Sequence, residues 1–376
     1  VKLALTLLLA ACAAPLPAVP TPPDTCVMYQ APAKGPMEAE RRAAGDKPVA
    51  VAELFIREAR ISGDAGFYTL ADTALTCALA RKPDDATARR LQAHVWIQFH
   101  RFAEVEALAA PLAAAKDASW LDHLLLGDAR MEQGKLDAAA ESYQRAADLR
   151  PGLEVYDRVA WLRWLWGDLT GAVEMQTLAV QAGTPADPEP FAWVLTRLGW
   201  LHALQGAPAP EIDAALRLLP DYRPALLARG RLRLAAGDPG ADADLRAVGP
   251  TVEAVWALSE LDPTASVEGV RAQDPRGYAM WLTRKDPKRA LEILNDEWAV
   301  RQDATTRMAR AWAAQGAADT SLDVSVEARA ALATGIVEPR VLLIGARILG
   351  DDTLRQRALA MGPGLLPSER LPPAAP

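Results

Sequence analysis

Cysteine is nearly absent from this chain of 376 residues: there are three, with no CxxC pair and no cysteine–histidine cluster, so a zinc site has no ligand set. Histidine is as scarce. The four (His94, His100, His123 and His202) form no HExxH pair and keep no ligand spacing. The nucleophile elbow GxSxG, the P-loop and the GxGxxG fingerprint are also missing. With them go the sequence handles for metal, acyl-transfer and nucleotide chemistry, and no cofactor, metal or small-molecule substrate is expected. A basic patch is lacking too. At a net charge of −7, nucleic acid is not an expected partner. Acidic pairs do occur, at Asp84-Asp85 and Asp351-Asp352, but both stand at helix starts, where carboxylates cap free amides and suit the helix dipole.

What remains is apolar, and it is periodic. Hydrophobic residues make up 51% and charged residues 24%, enough for a buried core. From about residue 49 the pattern predicts amphipathic helices of 10 to 15 residues, broken by short Gly, Asp and Pro stretches. The breaks recur. Ala59, Ala93, Gly127 and Ala160 stand 34, 34 and 33 residues apart, and Gly66, His100, Gly134 and Gly167 keep the same steps. So do Ala71, Val105, Ala139 and Ala172, while Pro83, Asp117, Pro151 and Pro185 close the four units. Gly199 and Gly206 open a fifth unit, Gly230 and Gly237 a sixth, and Gly316 and Gly350 resume the step after a degenerate stretch over 250–300.

A two-helix unit of 34 residues resembles the tetratricopeptide repeat (TPR). The third unit is most similar, with Leu126-Gly127, Gly134, Ala139, Tyr143, Ala146 and Pro151 at the repeat's positions. The resemblance implies an all-α fold, a right-handed superhelical solenoid of stacked antiparallel helix pairs. It divides the chain into a six-unit solenoid over 48–249, degenerate repeats over 250–362 and a disordered Pro-rich tail over 363–376. It also implies a non-enzymatic scaffold that binds a protein or peptide in its concave groove. The family's groove positions fall on Trp161, Trp164, Trp193 and Trp200, with Arg197 beside them; core packing of the same stripe is the competing reading. At the position where a carboxylate-clamping set would stand, this chain has Ile56, Arg90, Leu124, Asp157 and Thr196.

The first residues carry a second resemblance. An apolar run from Leu3 to Ala11 is far short of the ~20 residues that span a bilayer, and Leu9-Ala10-Ala11-Cys12 resembles a bacterial lipobox. That implies a signal peptide over 1–11, lipidation of Cys12 and a Pro/Ala-rich tether over 12–47, in which Arg41-Arg42 reads as solvated. The expected location is the bacterial cell envelope, lipid-anchored and periplasm-facing, the outer membrane favoured because Ala13 is not Asp. Cys26 and Cys77 are then an even pair in a disulfide-permissive compartment; a bridge between them and a buried free Cys77 both stand open. Two other functions stay open: an accessory, pilotin-like lipoprotein of a secretion, pilus or envelope-biogenesis system, and an enzyme with a site within 250–300.

Overall fold

The computed structural model describes residues 37–62, 64–361 and 365–370. Cys12, Cys26, the segment 1–11 and most of the expected tether lie outside them. The described chain is helical throughout, without strands. After α1 (Met37–Ala44), six helix pairs follow in order: α2 (Pro48–Ser62) with α3 (Gly66–Arg81), α4 (Ala86–Gln98) with α5 (Phe102–Ala113), and α6 (Trp120–Glu132) with α7 (Leu136–Leu149). Next come α8 (Leu153–Leu165) with α9 (Leu169–Ala182), α10 (Pro188–Leu204) with α11 (Pro210–Leu218), and α12 (Arg223–Ala236) with α13 (Gly240–Val248). A lone α14 (Val252–Leu258) and a 3-10 turn, Val267–Val270, precede three further pairs. These are α15 (Pro275–Leu282) with α16 (Pro287–Val300), α17 (Ala304–Ala317) with α18 (Val324–Leu332), and α19 (Pro339–Leu349) with α20 (Asp352–Ala360).

Local chemistry explains both ends of these helices. Asp85, Asp168, Asp274, Asp286, Asp303, Asp323 and Asp351 each accept a backbone N–H as N-caps. Seven of the turns inside the pairs end on a left-handed residue: His100, Gly134, Gly167, Gly206, Gly237, Ala318 and Gly350 have φ between 53° and 86°. In each, the next residue's N–H returns to a carbonyl five residues back at 2.9–3.0 Å, as in a Schellman cap. Between the helices of a pair, small residues permit close crossing. A Cβ on Gly127 would stand 2.4 Å from the Tyr143 ring, and one on Gly199 2.7 Å from Ile212.

Three expectations need correction. The stretch over 12–47 is not wholly tether, because α1 begins at Met37 and buries Met37 and Arg41, whose guanidinium reaches the Gly45 carbonyl at 3.5 Å. Gly316 is not a turn residue. It lies inside α17, where a Cβ would stand 2.9 Å from Pro287, and Ala318 makes the turn instead. The tail is not loose over 365–370: Leu365, Leu366 and Glu369 are buried. Glu369 pairs with Arg340 at 2.6 Å and Arg231 at 3.2 Å, and Ser368 accepts the Trp256 indole N–H at 3.0 Å.

The coil also closes on itself. Arg60 of α2 forms an ion pair with Glu189 of α10, which also accepts the Tyr222 hydroxyl at 3.4 Å. The Val337 N–H, just before α19, donates to the Leu165 carbonyl at 2.8 Å. Thr334 and Val337 crowd the glycine turns at Gly134 and Gly167. The largest apolar cluster accordingly runs from Leu124 to Leu366.

Candidate binding surface

The first helices of the early units are stapled to one another by arginine–aspartate pairs. Arg90 grips Asp122 with two bonds, 2.7 and 2.8 Å. Burial opposes the charge on Asp122, yet the bonds from Arg90 and Ser119 hold its carboxyl below the usual range. Arg158 holds Asp128 at 2.9 Å, and Asp128 also accepts the Tyr143 hydroxyl at 2.8 Å. Burial and that aspartate together push the Tyr143 phenol well up. On the next step Asp157 accepts from Arg197 at 3.2 Å, from the Trp193 indole at 3.2 Å and from Gln176 at 3.1 Å. Two positions where a carboxylate clamp would stand, Arg90 and Asp157, thus bind neighbouring helices instead.

The expected tryptophan stripe separates into parts. Trp164 is 7% exposed and belongs to the core, so it is not a groove residue. The reason is coiling, which packs Trp164 into an apolar cluster that also gathers residues of the late units. Trp161 is half-buried and stacks on Trp164 with ring centroids 4.3 Å apart. The Arg197 guanidinium lies 4.4 Å from the Trp161 centroid and 5.4 Å from that of Trp193. Trp200 is half-buried, packs against two apolar clusters and meets Arg231 at 5.9 Å. Only Trp193, at 37%, is exposed. Trp161, Trp193 and Arg197 therefore meet around Asp157, while Trp164 and Trp200 serve packing.

Other polar groups were not anticipated. His94 has a buried Nε2 with no hydrogen-bond partner, and burial, with Arg158 and Arg60 adding, lowers its pKa to about 4. His100 is lowered to about 3 by burial and by Arg301 and Arg276. Glu132 is raised to about 7, by burial first and then by Asp303. The last two join the second and third units to the start of α17. They arise from coiling, which no local spacing announces. Cys77 is fully buried in α3 and disulfide-bonded, with Cys26 and Cys12 outside the described residues. Among the described residues no group of His, Cys, Asp and Glu could hold a metal ion, and no helix is long and apolar enough to cross a membrane.

No family model matches the chain, and no curated protein matches it. Among solved structures it is similar to a chain of the Cut9–Hcn1 hetero-tetramer of the APC/C, at 15% identity and a TM-score of 0.43. That match covers 86% of this chain and 62% of the other, so this chain spans less than two thirds of that length. Yeast Tom70 matches at 11% identity and a TM-score of 0.39, covering 90% and 91% of the two chains. A tetratricopeptide repeat protein from Parabacteroides merdae matches at 14% identity and 0.30, covering 82% and 98%. At these scores the likeness adds nothing to the helix-pair architecture already described.

Proposed function

We propose that the chain is a non-enzymatic scaffold, anchored to the bacterial envelope through lipid on Cys12, that docks a partner protein on the surface around Trp193. The observation that carries this reading is the arrangement at Asp157. One buried carboxylate holds both the exposed Trp193 indole and the Arg197 guanidinium, and Arg197 also covers Trp161. A partner would meet an indole already ordered by Asp157 and Arg197, at little entropic cost. Tryptophan and arginine are the side chains on which binding energy concentrates.

The test is the Trp193→Ala variant in the native membrane, with cross-linking mass spectrometry to name what wild type holds. The variant loses that partner while staying folded, its melt lowered only by the loss of the single bond to Asp157. Retention of the partner by the variant would remove Trp193 from the binding surface. The anchor has its own test: the protein with its leader incorporates labelled palmitate, and Cys12→Ala does not. A Cys12→Ala protein that still labels and stays in membranes would end the lipidation reading.

A further inference from the structure

A second meeting of indoles and cations lies against α14, α15 and the C-terminal strap over 365–370. A cleft of about 310 Å³ opens there, walled by Trp256, Trp281, Pro263 and Ala265, with Ser368 of the strap on one side. Arg284 and Lys285 stand in its lining. A smaller hollow shares Trp256 and Arg284 and reaches Trp312.

Its carboxylates are all engaged. Glu260 accepts the Ser368 N–H at 3.0 Å, and Glu369 is divided between Arg340 and Arg231. The two cations are not. Lys285 Nζ lies 3.9 Å from the Trp281 centroid and Arg284 5.9 Å from that of Trp312, and neither has a carboxylate or carbonyl partner among the described residues. The Trp281 indole N–H likewise has no acceptor there. Burial lowers the Arg284 pKa, and Glu260 and Glu369 oppose this only from beyond ion-pair distance, so its guanidinium stands partly desolvated without a direct partner.

We infer that this cleft binds an acidic peptide segment of a partner protein, its carboxylate held by Arg284 and Lys285 and its neighbouring apolar side chain laid on Trp281 and Trp256. Charge complementarity selects the occupant: an anion supplies what both cations lack, whereas a neutral apolar segment would bury them unpaired. A flat indole wall of this kind suits a proline or aromatic beside the acidic residue. The inference rests on the scaffold reading for the chain's purpose, but it places a second contact on residues other than Trp193.

The experiment uses the purified full chain and an array of nine-residue peptides carrying one central Glu or Asp flanked by Pro, Leu or Tyr. Each is matched by its Gln or Asn counterpart. Acidic peptides bind about tenfold tighter than their amide counterparts, the size of one charge-assisted bond. Arg284→Gln with Lys285→Gln abolishes that preference and leaves the melt unchanged, while Trp193→Ala retains it. No acidic preference, a preference that survives the double substitution, or glutarate binding as tightly as the best peptide would each overturn the proposal. Because the array needs no cellular partner, loss of the Trp193 contact and loss of this one are read separately.

Discussion

At the scale of single residues, burial sorts side chains that look alike in the chain. Trp164 and Trp193 share an approximate helix-face pattern, yet one is core and the other exposed. Trp164→Ala should therefore cost about 3–5 kcal/mol, the usual result of emptying a buried aromatic site. Trp193→Ala should cost less, about 1–2 kcal/mol, because it removes only the exposed ring and its bond to Asp157; urea midpoints compare the two. Titration gives a second test. His94 has a folded pKa of about 4 against an ordinary 6.5, so the unfolded chain binds its proton first. Its neutral form adds nothing unfavourable above pH 6.5, and a penalty builds as pH falls towards 4. His94→Gln should lose less stability than wild type between pH 6.5 and 4. Glu132 runs the other way. Its folded pKa of about 7 favours the neutral form, so its stability is present below its ordinary 4.5 and is lost as pH rises through 7. Glu132→Gln should match wild type in acid and exceed it above pH 7. Equal slopes for variant and wild type would show that these groups sit in ordinary solvent.

At the scale of elements, the turn and the helix crossing set the limits of substitution. Ala318 takes a left-handed conformation with φ 53° at the end of α17, where an L side chain costs about 1–2 kcal/mol. Ala318→Gly should raise stability by about 1 kcal/mol once glycine's entropy is subtracted, read as a higher urea midpoint with an unchanged slope. Gly127→Ala should lower it by about 1–3 kcal/mol, because the added methyl meets the Tyr143 ring. These elements were the legible part of the chain. Gly134 and Gly167 announce turns, Gly127 and Tyr143 announce a crossing, and each signal is local. Gly316 misled because a glycine at the right period can serve close approach in a helix interior as well as a turn. Trp164 misled because the apolar cluster that buries it gathers residues from Leu124 to Leu366, far apart along the chain. The Arg284 cleft was illegible for the same reason: the strap at Ser368 and the helices at Trp256 and Trp281 meet only after the chain has coiled.

At the scale of the whole molecule, closure changes how damage spreads. In an open solenoid each repeat touches only its neighbours, so a lesion stays near its site. Here Val337 is bonded to Leu165 and sits against Gly167, while Arg60 reaches Glu189 and Glu369 reaches Arg231. The late units thus brace the early ones across the coil. Val337→Asp makes this visible. The site is buried, and an aspartate there has no cation supplied by Leu165 or Gly167, so an unpaired charge would be forced against the end of α8. Leaving a charge buried and unpaired costs about 3–5 kcal/mol, enough to open the contact. Hydrogen exchange read by mass spectrometry then reports where protection is lost. Peptides over 153–182, in α8 and α9, should exchange faster together with those over 339–360, whereas those over 48–81 should change least. Faster exchange confined to 324–360 would mean that the turns behave as an open stack and that the contact between Val337 and Leu165 contributes little to holding them.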